Sequence, residues 1–435
     1  MFFGIARWAS ITVAPLVLSL GFMGSETGVD PSIDRHDSRV PSDPVSRLIA
    51  DLSSGDVDLA YDSAQGYLRS LLSVLDIPIS SQTLVFSRTS LQTDRIAPWA
   101  PRALYFNDDV YIGWVLDSPI IEIASVDPVE GSIFFTLAQR PDGPPRFERE
   151  GTTCLMCHES RITEGVPGLI MRSVLADRLG YPVTDVHEGQ TTDRTPLHRR
   201  WGGWYVTGTH GNPGHAGNTR AEDLDGDIAN RRDYLAALDM NAAGNRTELG
   251  EHFDTDSYLA PHSDLVALMV LTHQVRVHNL MTLVHQQGTR AMGGLAAQKG
   301  GGTQSGTVRS VAAVDRLVRA MLFVGEAELT GAVRGTSAFA GEFADLGPHD
   351  GAGRSLRDFD LEQRVFRYPL SFLIYSSAFD ALPEFARNHV YDRLNQILTA
   401  EDVEEDFQHL DDETRNAIFE ILIDTKPAFA ERIGD

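Results

Sequence analysis

Cysteine is almost absent from this chain: 435 residues hold two, Cys154 and Cys157. That excludes the disulfide framework that staples many exported domains. Basic residues are scarce as well, with 37 Lys and Arg against 61 Asp and Glu and a formal net charge of −24. A surface of that sign repels nucleic acid and anionic membranes, and is compatible with a basic protein partner. Long apolar runs are missing after residue 23, so no later segment reaches the roughly 20 residues that span a bilayer. There is no HExxH helix, phosphate loop or local Ser-His-Asp signature, and no internal repeat. Apolar residues, at 42%, are plentiful enough to build real cores and exclude general disorder.

The two cysteines fall in one five-residue run, CLMCH, from Cys154 to His158. Cys-x-x-Cys-His is the attachment sequence of a covalent c-type haem. The two-residue gap lets both sulfurs reach the porphyrin edge, and the adjacent neutral imidazole is a good iron ligand. Other uses of the pair fit less well. A thioredoxin-like redox pair opens a helix after a strand in a βαβ unit, a context the flanking TTCLMCHES lacks. A zinc site wants a second pair of Cys or His at finger-like spacing, and no other Cys exists. A disulfide between residues so close would close almost no loop and stabilise little. The run therefore resembles the c-type cytochromes, which implies Cys154 and Cys157 as thioether residues and His158 as proximal iron ligand of a single covalent haem c.

Residues 1–23 read as a signal peptide, with Arg7 ahead of an apolar stretch from Ile11 to Met23; an uncleaved N-terminal anchor is the alternative, and the only route to a membrane. Bacterial haem attachment takes place outside the cytoplasm, so the resemblance implies a periplasmic or exported protein. Residues 24–46, with three prolines and several Asp and Ser, read as a disordered linker. Helical spacing follows at Val45–Leu52 and Tyr61–Leu75. From Thr83 to Leu137 the period becomes that of strands, broken by turn residues at Asn107-Asp108, Asp117-Ser118-Pro119 and Glu130-Gly131, which predicts an antiparallel sheet of about three or four strands ending before the haem motif. Residues 185–218 look irregular. Helical patterns then dominate at Asp233–Met240, Ser263–Gln287, Val308–Val324, Tyr368–Phe379, Pro383–Leu398 and Asp411–Asp424. Between them, 288–307 reads as a Gly-rich flexible insertion and 330–355 as a long ordered loop. The expected class is α+β, mainly α-helical, with a helix/β region over 47–220 carrying the haem site and a mainly helical region over 221–435 packed against it.

Four further segments, PRALYFNDDVYIGWV, WGGWYVTGTHG, SDLVALMVLTHQ and SLRDFDL, are similar to large, single-haem exported bacterial proteins known only as cytochrome c domain proteins. That likeness brings no established reaction with it. The function then turns on the second axial position: a Met or His there suits electron transfer, and an open face admits peroxide or oxygen. His210, in the Gly-flanked loop TGTHGNPGH, is the first distal candidate because glycine lets backbone approach a flat cofactor. His215 could substitute. His273, His278 and His285 lie on one long apolar helix, where core histidines are equally expected, and Met171 reads as core. Trp201, Trp204 and Tyr205 could pack on a porphyrin or serve as ordinary core. Glu222–Asp227 (EDLDGD) has alternating carboxylates without the EF-hand glycine position or bidentate Glu, and reads as a solvated turn. The expectation is electron transfer through one haem c with an unidentified redox partner protein; the alternative is a haem peroxidase or oxygenase-like enzyme with an open iron face.

Overall fold

The computed structural model describes residues 42–212, 214–222, 228–297, 303–401 and 404–434. The expected signal peptide and residues 24–41 of the expected linker lie outside them. Order begins earlier than the polar composition suggested, within the stretch expected to stay a tether to residue 46. Asp43 accepts the N–H groups of Val45 and Ser46 and so caps α1 (Pro44–Ser54), with Pro44 supplying a pre-set first helical residue. Val45 and Leu48 are buried, and Ser42 N–H donates to Asp127 at 2.8 Å, which pins the start of the helix to the sheet. α1 ends at Gly55 in the left-handed region. α2 (Leu68–Val74) buries Leu68, Leu71 and Leu72 beside it.

The expected strands are present, and the sheet is larger than expected. β1 (Thr83–Val85), β2 (Arg102–Phe106), β3 (Val110–Trp114), β4 (Ile120–Asp127), β5 (Gly131–Ala138) and β6 (Phe147–Glu150) run antiparallel in sequence order. After a helical interval, α3 (Thr152–His158), come β7 (Ser173–Asp177), β8 (Pro182–His187), β9 (Trp204–Tyr205) and β10 (Arg220–Ala221). β9 pairs with the free edge of β1, Leu84 opposite Tyr205, giving a seven-stranded sheet ordered β6-β5-β4-β3-β2-β1-β9. The sheet thus takes one strand from beyond CLMCH, within a zone whose glycines hid it. β10, β7 and β8 form a separate three-stranded sheet.

Both faces of the large sheet are covered. Ile112, Ile123 and Phe135 stand in register on the face packed against α1 and α2, and Tyr111, Ala124 and Phe134 on the face turned to the C-terminal helices. Burial on both sides explains why VYIGW reads as a continuous apolar run rather than an alternating one.

α4 (Ile228–Ala237) precedes the long α5 (Leu265–Ala297), followed by α6 (Thr303–Met321), α7 (Phe339–Asp345), α8 (Ser377–Asp380), α9 (Glu384–Leu398), α10 (Asp412–Thr425) and α11 (Pro427–Gly434). One carboxylate starts α5: Asp264 Oδ1 accepts the N–H of Val266 and Ala267, and Oδ2 accepts those of Thr336 and Ser337. Gly335 permits that approach, because a Cβ there would lie 2.3 Å from Asp264 Oδ2.

Several expectations are revised. The helix read over Tyr368–Phe379 is a 3-10 turn at Phe372–Tyr375 followed by α8, with Ser371 and Ser376 capping the two pieces. Helix α7 interrupts the loop expected over 330–355. Helices α5 and α6 run into the stretch expected to be flexible, and Gly288 lies close to Pro383 and Phe385 at the head of α9. The expected boundary between 220 and 221 falls inside β10, and sheet residues such as Val85 and Phe134 share one core with α5, α6 and α9. The class is α+β.

Candidate functional site

CLMCH occupies α3, a single short helix entered from β6 through Gly151. None of its side chains is buried. Cys154 and Cys157 are i, i+3 neighbours, so their sulfurs sit on one side of the helix. Both thiols are free; Cys154 is half-buried, packed like Leu155 against the core, and Cys157 is exposed. Met156 between them is 73% exposed, an unusual placement for so apolar a side chain. Burial, reinforced by the Glu150 and Glu122 carboxylates, pushes the Cys154 thiol up to about 11 and keeps it protonated at neutral pH.

His158 is held more firmly than the thiols. Its Nδ1–H donates to the carbonyl of Gly168 at 2.8 Å, and Gly168 N–H returns a bond to the His158 carbonyl at 2.8 Å. Thr163 Oγ1 donates to that same carbonyl at 3.2 Å, tying the intervening turn to the end of α3. Phe134 packs on the imidazole with ring centres 4.5 Å apart. Burial lowers the His158 pKa and so favours neutral imidazole, against the opposing effect of the Gly168 bond. With the proton on Nδ1, Nε2 carries the lone pair, and no hydrogen bond engages it among the described residues.

The loop that fixes His158 is itself fixed by α5. Asn279 spans the backbone of Leu169, accepting its N–H and donating to its carbonyl, each at 2.8 Å. A Cβ at residue 168 would lie 2.3 Å from Asn279 Oδ1, so glycine is needed there. Neither Gly168 nor Asn279 carries a motif in the sequence; a backbone carbonyl ten residues along a loop leaves no side-chain signal.

The distal candidates do not converge on His158. His210 Nε2 accepts the N–H of Asn245 at 3.2 Å, and Nδ1 bonds the carbonyl of Gly211 at 2.7 Å, so both ring nitrogens are committed. Gly208, two residues before it, rests on Leu265 at the start of α5, whereas the His158 loop rests on Asn279. Fourteen residues of helix separate those anchors by about 21 Å. His215 is buried, accepts the N–H of Gly217, and is pushed down to about 3, chiefly by burial. His273 bonds Asp193 and Ser371, and His278 donates to the Asp108 carbonyl at 2.8 Å. His285 lies further along α5, half-buried, and Met171 is core. The aromatics of the Gly-rich zone brace structure: Trp201 donates to Thr272, Trp204 to the Arg172 carbonyl and Tyr205 to the Pro98 carbonyl. Of EDLDGD, residues 223–227 lie outside the described residues, and Glu222 pairs with Arg220 at 2.9 Å.

A polar constellation with no local sequence signature also emerges. Ser371 Oγ lies 2.8 Å from His273 Nε2, and Asp193 Oδ2 lies 3.4 Å from Nδ1. This has the order of a serine triad, but all three residues are buried, Ser371 completely, and His273 is stacked on Phe323 at 4.0 Å. Asp193 also takes Arg276 at 2.5 Å. Without access for a substrate the network works as a buried brace between α5 and two loops.

Comparison with protein-family models, curated proteins and solved structures finds no match to this chain. Among the described residues no three His, Cys, Asp or Glu side chains stand together as a metal-ion site, and no helix is long and apolar enough to cross a membrane.

Proposed function

We propose that the chain carries one haem c on α3 and exchanges single electrons with a redox partner protein outside the cytoplasm. The carrying observation is the pairing of CLMCH with a His158 whose Nδ1 is pinned to Gly168 while Nε2 remains unengaged, the arrangement in which metal-ligating histidines are normally held. Cys154 and Cys157 would hold the group through thioether bonds, each S–H adding across one vinyl C=C with the sulfur on one carbon and the hydrogen on the other. A protonated Cys154 and an exposed Cys157 are both free for that addition. When bound, the haem supplies a one-electron Fe(III)/Fe(II) couple. The protein's part is to keep the imidazole neutral by burial and oriented through Gly168, Phe134 and the Asn279 clamp, and to leave the exposed side of α3 open to a partner. The net charge of −24 suits a basic partner.

The test is expression with a cytochrome c maturation system, followed by a haem-stained denaturing gel and a pyridine haemochrome spectrum. One covalent haem per chain is expected, and its absence would overturn the proposal.

A second reading, a haem peroxidase or oxygenase-like enzyme with an open iron face, is favoured by one observation: His210 and His273 have both ring nitrogens bonded, and His215 and His278, each with one nitrogen unpartnered, are buried. The resting spectrum separates the two. Indifference to cyanide, carbon monoxide and peroxide marks a carrier, and a response to any of them marks an accessible iron.

A further inference from the structure

A polar cavity lies between the turn after His158, the loop 187–196, and helices α5 and α6. It has a volume of about 490 Å³, within the range of small-molecule sites. Its wall runs against the charge of the whole chain: Arg194, Arg276, Arg316 and Arg319 converge on it with Glu164 as the one acid lining it. Three of these arginines have carboxylate partners, Arg276 with Asp193, Arg316 with Glu164, and Arg319 with Asp315 and Glu404. Arg194 has no ion pair among the described residues. Gln190, which also lines the cavity, accepts the Met171 N–H through Oε1, leaving Nε2 a buried donor with no partner. A buried amide N–H without an acceptor carries a desolvation penalty, which an acceptor bound in the cavity would relieve.

The wall is built in advance of any occupant. Buried Arg200 donates to the carbonyls of Thr195 and Asp193, at 2.6 and 2.5 Å. Thr192 N–H donates to Thr195 Oγ1 at 3.1 Å, and Ala327 N–H donates to the Asp193 carbonyl. Arg194 crosses Gly325, where a Cβ would come within 3.2 Å of its Nε. Planar guanidinium groups recognise carboxylates and phosphates through paired N–H bonds, and a rigid wall loses little entropy on binding.

From this geometry we infer that the cavity is a binding site for a small oxyanion, a carboxylate- or phosphate-bearing metabolite, gripped by Arg194 and the Gln190 amide. The inference does not depend on haem.

Isothermal titration of the full chain against inorganic phosphate in one arm and malonate in the other tests it. Saturable binding at one site per chain is expected in at least one arm; phosphate alone identifies a phosphoryl ligand, malonate alone a carboxylate. Arg194→Ala should weaken binding at least about tenfold and Gln190→Leu about threefold, while exposed Arg140→Ala leaves it unchanged. Thermal melts of each variant separate lost binding from lost folding, and Gln190→Leu serves where Arg194→Ala fails to fold. Arg276 is left intact because its removal would strand the buried Asp193 charge. No saturable heat in either arm up to about 10 mM, or wild-type affinity in a folded Arg194→Ala, would overturn the site.

Discussion

Helices α3 and α5 both carry histidine, and they use it in opposite ways. On α5, His273 is sandwiched by Phe323 and bonded at both nitrogens, and His278 is buried with one nitrogen on a carbonyl. On α3 no side chain is buried, and His158 has one nitrogen tied down and one left over. The α5 histidines contribute to holding the molecule together; α3 contributes little to that and instead presents reactive atoms. A residue type alone says nothing about function, and neither does a spare nitrogen, since His278 Nδ1 also has no hydrogen-bond partner; a spare nitrogen on a side chain outside the buried core is what separates a candidate ligand from a strut.

The sharpest way to break this contrast is to remove the α3 thiols. Cys154→Ser with Cys157→Ser should abolish covalent haem entirely, read by haem stain, yet shift unfolding stability of the haem-free protein by only about 1 kcal/mol, because Cys157 is exposed and Cys154 only half-buried. A haem-free variant that no longer folds would show that α3 is structural after all.

His273→Ala should do the reverse. Burial would raise the Asp193 pKa, but Arg276 and His273 together hold it well below the usual carboxylate range, so losing one partner from this buried network and its stacking on Phe323 should cost about 3 kcal/mol in denaturant unfolding. Haem content per folded chain should stay the same.

A smaller effect distinguishes the helices by pH. Burial pushes His278 down to about 4, against about 6.5 when unfolded. Between those values the unfolded chain binds more protons, so this group's contribution is full above pH 6.5 and is lost as pH falls towards 4. His278→Asn should flatten the wild-type dependence by roughly 1 kcal/mol per pH unit in that window, measured as the difference in urea midpoints. Equal slopes would mean that His278 is not buried neutral. Smallest of all, His210→Ala should lower stability by about 1 kcal/mol through the lost Asn245 bond and leave the haem spectrum unaltered; a change of spin state would restore His210 as a ligand.

What could be read from the chain follows from how local each signal is. The strands from Thr83 to Leu137 announce themselves through apolar side chains and turn residues such as Asn107, whose side chain accepts the N–H groups of Asp109 and Val110. β6 escaped because its FERE sequence is polar and half-exposed, and β9 because two residues flanked by glycine have no period. The helix read at Tyr368–Phe379 failed because Ser371 and Ser376 favour caps over helix interior, a competition that apolar spacing cannot register. At the candidate site, the three motif residues were visible, whereas the Gly168 carbonyl, the Asn279 clamp and the arginine-lined cavity depend on segments brought together from far apart in the sequence.

The pairing of β1 with β9 bears on how this chain reaches its fold. Leu84 meets Tyr205 across about 120 residues, a closure whose entropic cost must be met before its few ladder bonds return anything. The neighbouring hairpins from β2 to β5 close over short turns and can form early. The last edge of the sheet is therefore a late event, and α3, which lies between β6 and β9, stays on an open chain until that edge is sealed.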